Sequence, residues 1–195
     1  MMKIGVISDT HDLLRPEVLD RLQGCGLILH GGDISSRRIL DRLEQIAPVK
    51  AVRGNNDKEW AESLPAFLDF ELGGLRICMT HRKKDLPQDL SAYDLAVFGH
   101  SHKYEASWLA PAGKQRTLLL NPGSCGPRRF VQPITMAVLT VNDDGLSRGA
   151  RRYPAPGGGN GAKGGKGYLR TDRARCPGNA KGADRAGHRP EIRIG

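Results

Sequence analysis

Residues 3–12 read "KIGVISDTHD". A short β-branched apolar run stops abruptly at Ser8 and Asp9, and a run of that length closed by polar residues reads as a buried strand. The chain then repeats the device. "RPEVLDRL" (15–22) sets a proline near a helix start and spaces its apolar residues for one helical face. "GLILHGGD" (26–33) is a second strand, ending in two glycines and a carboxylate. Ser35 or Ser36 can cap a helix through "RRILDRLEQI" (37–46), whose Ile39, Leu40, Leu43 and Ile46 share a face. "VKAVRGNND" (49–57) is a third strand with a third polar end.

Beyond residue 57 the rhythm changes. "FLDFEL" and "LRICMTH" flank Gly73-Gly74 and predict a hairpin. "LAVFGHSH" (95–102), "TLLLNPGS" (117–124) and "ITMAVLTV" (134–141) read as further strands, and Asp144-Gly145 as a turn into a last one near "SRGARRY". The expected architecture is βαβ units followed by mostly antiparallel strands, as a mixed sheet or two packed sheets flanked by helices.

The chain of 195 residues fits one domain with an appendage: a domain over 1–153 and a tail over 154–195. The tail is rich in glycine and basic residues, cannot bury enough apolar surface to offset ordering, and is expected to be disordered. It holds nine Lys/Arg against three Asp/Glu, so it supplies +6 of the net +9. The globular part is therefore only mildly basic, and nucleic-acid contact rests on the tail alone. Cys25, Cys78, Cys125 and Cys176 form no CxxC pair, which suits a reducing compartment better than a disulfide framework. The first residues are too short an apolar run for a signal peptide, and no stretch approaches a membrane span. The expected location is the cytoplasm, with no membrane partner; oligomeric state is not legible.

The polar strand ends carry the chemistry. Asp9 with His11, Asp33, Asn55, His81, and His100 with His102 close five different strands and use four of the six histidines. Each alone is ordinary, because strand ends are polar and turn-rich. Together they offer seven nitrogen and oxygen donors in the crevice where open α/β sheets bind ligands. On extended segments alternate residues point the same way, so Asp9/His11 and His100/His102 can each present two donors to one site. Seven donors exceed one tetrahedral zinc and suit two ions sharing a carboxylate. Imidazole, carboxylate and amide without thiolate favour Mn, Fe, Co or Zn.

The ordered motifs D-x-H, G-D, G-N-x-D, a later H after an apolar strand, and G-H-x-H resemble the calcineurin-like metallophosphoesterase superfamily. "VRGNND", the short chain and "NPGS" point to its small prokaryotic phosphodiesterases, which share their fold with a retromer subunit. The resemblance covers roughly residues 3 to 153. It implies a four-layer α/β/β/α sandwich of mixed sheets with the ions at the strand ends. It further implies Asp9, His11 and His102 on one metal, Asp33 bridging, and Asn55, His81 and His100 on the other. Two divalent ions are implied, manganese first, with iron, cobalt, nickel or zinc as alternatives. Two cations about 4 Å apart can clamp a phosphoryl group and lower the pKa of a shared water, so that a bridging hydroxide attacks phosphorus in line. The expected activity is hydrolysis of a small or nucleotide-like phosphodiester, with a monoester as the other substrate class. The competing reading is a catalytically weak scaffold of the same fold that binds proteins, which would have no need of all seven donors.

Departures from the family pattern sharpen the expectation. Asn56 stands where phosphatases of the superfamily carry a histidine that serves as a general acid; it can hydrogen-bond a phosphate oxygen but not protonate a leaving group. Good leaving groups should therefore be favoured. "THRKK" places Arg82, Lys83 and Lys84 beside His81, where the family often has T-H-G-H. Arg82 and Arg53 are expected substrate-phosphate contacts. Asp12 follows His11 in place of the frequent glycine. Asp57 is expected either to cap a turn or to orient a ligand or a neighbouring histidine. His30 reads as a buried histidine satisfied by its surroundings.

Overall fold

The computed structural model describes residues 1–110, 116–129, 131–142, 145–146 and 192–194. Its first half is the alternation read above: β1 (Met2–Ile7), α1 (Pro16–Leu22), β2 (Leu27–His30), α2 (Arg37–Glu44) and β3 (Val49–Ala51). β1, β2 and β3 run parallel, with Ile4 opposite Leu27 and Ile28 opposite Val49. β9 (Ala137–Asn142) closes the other side of β1 antiparallel, and β10 (Gly145–Leu146) pairs with β9. Within the segment read as a tail, β11 (Ile192–Ile194) also pairs with β9; the rest of 154–195, and "SRGARRY", lie outside the described residues. Ser36 occupies the cap position of α2, but its hydroxyl donates to Asp12 and accepts no N–H from the helix.

The second sheet has the order β4 (Phe67–Leu72), β5 (Leu75–Thr80), β6 (Leu95–Val97), β8 (Thr117–Pro122), β7 (Tyr104–Leu109). The hairpin forms as its glycines predict: Gly73 and Gly74 take φ of 56° and 80°, which a two-residue turn between twisted strands requires. Two features differ from the sequence reading. β5, β6 and β8 are mutually parallel, so this sheet is mixed rather than mostly antiparallel. β7 was not expected at all. It is an edge strand of half-buried and exposed residues that lacks the apolar run marking its neighbours.

The two sheets bury a shared core. Ile4, Val6, Leu27 and Leu29 meet Ile77, Met79, Leu95, Val97, Leu118 and Leu120, each 5% exposed or less. Burying such a side chain stabilises by roughly 1.5–3 kcal/mol. The opposite face of the first sheet, through Ile7 and Ile28, packs on Val18 and Leu22 of α1 and Ile39, Leu40 and Leu43 of α2. Outside the second sheet, Cys78, Ala96, Phe98 and Leu119 are covered by Leu86, Leu90 and Tyr93. That outer layer is the 81–94 connection, with one 3-10 turn at Lys83–Asp85 and no α-helix among the described residues. Two mixed sheets, with α1 and α2 packed outside the first, are the α/β fold expected; outside the second sheet the layer implied to be helical is the 81–94 connection instead. Among the described residues no helix is long and apolar enough to cross a membrane.

The parallel pairing positions the site. β1, β2 and β3 in one sheet, and β5 and β6 in the other, each release their chain at the same end. Segments 8–12, 31–35, 53–57, 81 and 98–102 therefore emerge together.

Candidate metal centre

At the strand ends the backbone leaves extended geometry. Asp9, His11, Asp33, His100 and His102 have φ of 55°, 43°, 55°, 68° and 57°. Among the described residues only Asp12 and Ser35 share that left-handed conformation without glycine, so it marks this loop cluster. The strands end at Ile7 and Val97, which corrects the sequence argument. Asp9/His11 and His100/His102 converge through turns, not by alternation along an extended strand. Cross-loop bonds hold these turns. Asp9 N–H donates to Gly32 O, His11 N–H to Asp33 O and Asp12 N–H to Ile34 O, each at 3.0 Å.

All seven expected donors are described, and six converge closely. His102 Nε2 lies 3.2 Å from Asp9 Oδ1 and 3.3 Å from His11 Nε2. His11 Nε2 is 4.0 Å from Asp9 Oδ1 and 3.8 Å from Asp33 Oδ2. His81 Nε2 is 3.3 Å from Asp33 Oδ1 and 3.1 Å from Asn55 Oδ1. The ring of His100 stands edge-on to that of His81, centroids 5.1 Å apart. Asp9, His11 and His102 thus form one candidate triad and Asp9, Asp33 and His81 a second. Asn55 extends the second triad, and His100 flanks it.

The protons in this cluster do not balance by themselves. His81 Nδ1 is 2.7 Å from Gly31 O, which can only accept, so Nδ1 donates and a neutral ring leaves Nε2 bare. That bare nitrogen faces two oxygen acceptors, Asp33 Oδ1 and Asn55 Oδ1. Asp9 Oδ1 is buried with no hydrogen-bond partner, while Oδ2 accepts from Ser8 Oγ at 2.6 Å and from His100 N–H at 3.1 Å. Lone pairs converging in a buried pocket fit a cation. Electrostatics report the same convergence. Burial opposes a charge on His81, yet Asp33 and Gly31 together raise its pKa. Burial would raise the Asp33 pKa, but bonds from His81 and Asn56 hold it well below the usual carboxylate range. Burial lowers the His11 pKa, and the charge of Arg129 lowers it further.

Behind the donors lies a frame that holds their loops together. Asp57, 4% exposed, accepts Ile34 N–H at 2.8 Å and Ser35 N–H at 2.7 Å on Oδ1, and Gly54 N–H at 2.8 Å on Oδ2. It pins the loop of Asp33 to the loop of Asn55 through backbone N–H groups. Asn121 of "NPGS" braces the histidine turn: its Nδ2 donates to Gly99 O and Ser101 Oγ, and its Oδ1 accepts Gly123 N–H. A Cβ on Gly99 would meet Ser8 Oγ at 2.0 Å, and one on Gly126 would meet Thr10 O at 2.2 Å and Asp9 O at 2.5 Å. Both glycines are needed for close approach to the Asp9 loop.

The expected substrate contacts all hold protein partners. Asn56 donates through N–H and Nδ2 to the two oxygens of Asp33. Arg53 Nε donates to Asp57 O at 3.4 Å. Arg82 pairs with Asp85 at 2.7 Å, and Lys83 with Glu105 at 2.6 Å. Arg129 was not singled out from the sequence. It is exposed, three residues past the point where Gly126 presses on the Asp9 loop and Arg15 Nε donates to Gly126 O at 3.1 Å. "CGPRRF" carries no spacing signal, so only tertiary placement reveals it. Asp12 accepts from Ser36 and Arg38, which ties the His11 turn to α2.

Known proteins are similar to this chain. Residues 2–144 match the family described as the calcineurin-like phosphoesterase superfamily domain. A probable metallophosphoesterase of Methanothermobacter thermautotrophicus is 35% identical over 170 residues, 80% of this chain and 95% of that protein. A phosphodiesterase of Methanocaldococcus jannaschii is 27% identical over 146 residues, 64% of this chain and 84% of that one. Among solved structures, Vps29 of Chaetomium thermophilum superposes with a TM-score of 0.61 at 25% identity, over 74% of this chain and 84% of that chain. A predicted phosphoesterase of Streptococcus pneumoniae superposes with a TM-score of 0.55 at 30% identity, over 79% and 94%.

Proposed function

Because the chain belongs to the calcineurin-like phosphoesterase superfamily, we propose that it is a binuclear metal-dependent phosphodiesterase acting on small or nucleotide-like diesters. The observation that carries the reading is the unpartnered, buried Asp9 Oδ1 facing His102 Nε2 and His11 Nε2. Asp9, His11 and His102 would hold one ion; Asn55, His81 and His100 the other; Asp33 reaches toward both sets through its two oxygens. Divalent cations held there neutralise phosphoryl charge and lower the pKa of water, and manganese suits this donor set.

The chain's own residues do the rest. Asp57 and Asn121 keep the donor loops fixed, so binding a phosphoryl group requires little rearrangement. Arg129, which has no ion pair among the described residues and whose charge is felt at His11, can meet a substrate oxygen, whereas Arg53 and Arg82 hold protein partners; Arg82 can join it by giving up its exposed pair with Asp85. Asn56 supplies an amide beside Asp33 but no proton, so aryl and nucleotide leaving groups are favoured. The diester preference draws support from the phosphodiesterase of M. jannaschii.

Likeness to Vps29 keeps the scaffold reading in view, and donor integrity separates the two: all seven donors are present here. The test is hydrolysis of bis-p-nitrophenyl phosphate and p-nitrophenyl phosphate, with chelator and with Mn²⁺, by wild type and His100→Ala. Metal-stimulated cleavage of the diester, lost in the variant, is expected. Preference for the monoester would overturn the diesterase assignment alone, and no metal-stimulated cleavage of either would favour the scaffold.

A further inference from the structure

Beneath the donors lies a fully buried side-chain link that the reading above leaves without a role. β2 sends Leu27 and Leu29 into the core between the sheets, so Ile28 and His30 face the helical layer. His30 is 0% exposed there, at a position where an apolar residue would pack without penalty. Both of its ring nitrogens are engaged. Gly32 N–H donates to Nδ1 at 3.2 Å, and Nε2 lies 3.0 Å from Thr10 Oγ1. Since Nδ1 accepts, the proton of the neutral ring is on Nε2 and is donated to Thr10. Thr10 Oγ1 in turn donates to Ile34 O at 3.3 Å.

The chain of donors is one-directional and closed: Gly32 to His30, His30 to Thr10, Thr10 to Ile34. It begins and ends on the loop that carries Asp33, and it passes through the residue between Asp9 and His11. Those three donor residues all hold left-handed backbone conformations that only surrounding contacts can maintain. The backbone bonds from Asp9 and His11 to Gly32 and Asp33 fix the same two loops from the other side.

We propose that His30, locked as its Nε2–H tautomer, is a positioning residue that sets Asp9 and His11 against Asp33 through the Thr10 hydroxyl. The inference rests on the metal-centre reading given above. Its neutral state has an independent support: burial pushes the His30 pKa down to about 4, so the ring keeps one proton throughout the neutral range. Partners of this kind, one step removed from the ligands, typically govern metal affinity by about 10- to 100-fold.

The test uses the full chain and Thr10 variants, because replacing His30 risks the fold. Thr10→Val keeps the shape of the side chain and removes both bonds; Thr10→Ser keeps the hydroxyl. Mn²⁺ affinity by calorimetry should fall about tenfold or more in Thr10→Val and recover in Thr10→Ser. In the metal-free proteins, long-range ¹H–¹⁵N spectra should show His30 protonated on Nε2 only. The His11 and His102 ring signals should move in Thr10→Val and return in Thr10→Ser. A His30 protonated on Nδ1, or a Thr10→Val protein with unmoved ring signals, would overturn the proposal, as would wild-type Mn²⁺ affinity in Thr10→Val. If the wild type takes up no cation at all, the metal reading fails, and the ring signals alone then decide whether His30 positions the loop.

Discussion

His11 and His102, 91 residues apart in the chain, bring their Nε2 atoms to 3.3 Å of each other with Asp9 Oδ1 3.2 Å from the second. Two imidazole lone pairs and a carboxylate oxygen held this close repel one another unless a proton or a cation lies between them. Cation binding should therefore stabilise the fold as well as serve chemistry. At an Mn²⁺ concentration a hundredfold above its Kd, the gain is about 2.7 kcal/mol. Thermal unfolding is expected to rise with added Mn²⁺, to fall back on chelation, and to lose most of that response in His102→Ala. An unchanged melting temperature in wild type would contradict the metal centre.

The Asp57 carboxylate accepts hydrogen bonds from backbone alone, three N–H groups of two loops, while 4% exposed. Hydrogen bonds to a charged group contribute about 1.5–3 kcal/mol each, and orphaned buried donors add to the loss. Asp57→Ala should cost about 3 kcal/mol or more in denaturant unfolding and weaken Mn²⁺ binding in parallel. Loss of activity at full stability would mean that Asp57 meets substrate directly.

Much of the site was legible because chemistry fixes which residues can end a strand at a ligand site. Asp9, His11, Asp33, Asn55, His81, His100 and His102 stand out as polar stops after apolar runs, and β1, β2 and the Gly73-Gly74 hairpin follow from local pattern. The left-handed turns were not legible, because aspartate and histidine adopt them only under tertiary constraint. Nor were Asn121 and Arg129, which act on segments distant in sequence; for Asp57 the turn contact with Gly54 was among the expectations, and only its reach to Ile34 and Ser35 was not. β7 escaped because an edge strand needs no continuous apolar run.

His30 makes acid stability measurable. Burial pushes its folded pKa from the ordinary 6.5 down to about 4, helped by the charge of His81 and opposed by Asp57, Asp9 and Asp33. The unfolded chain therefore takes up this proton first as pH falls. The contribution is complete above pH 6.5 and is lost progressively toward pH 4, about 3 kcal/mol in all. His81 is raised instead, so its contribution is present below 6.5 and is lost as pH rises, with the opposite slope. Urea unfolding of wild type minus His30→Gln cancels the His81 part. The difference should shrink between pH 7 and pH 4; a flat difference would show that the fold leaves the His30 pKa unshifted, and a growing one that the fold holds His30 charged.

Gly126 tests how tightly the arginine segment is fitted to the Asp9 loop. Any Cβ there meets backbone oxygens of Thr10 and Asp9 at 2.2 and 2.5 Å, and neither can rotate away. Gly126→Ala should destabilise by about 1–3 kcal/mol, the usual range for overpacking, and lower Mn²⁺ affinity. A neutral substitution would mean that the segment lifts freely from the loop.

Arg129 has the sharpest kinetic signature. It is exposed, carries no ion pair among the described residues, and its charge is felt at His11. Arg53, Arg82 and Asn56 are occupied by Asp57, Asp85 and Asp33. A guanidinium beside the donor cluster attracts phosphate oxygens in substrate and transition state alike, which is uniform binding. Arg129→Ala should therefore raise KM for bis-p-nitrophenyl phosphate about fivefold with kcat little changed. Arg129→Lys should recover part of the loss by charge without the planar fork. Rising salt should narrow the gap between wild type and Arg129→Ala, because an exposed cation is screened. A fall in kcat at unchanged KM would instead place Arg129 on charge that develops only in the transition state, and unchanged values of both would return the phosphate contact to Arg82.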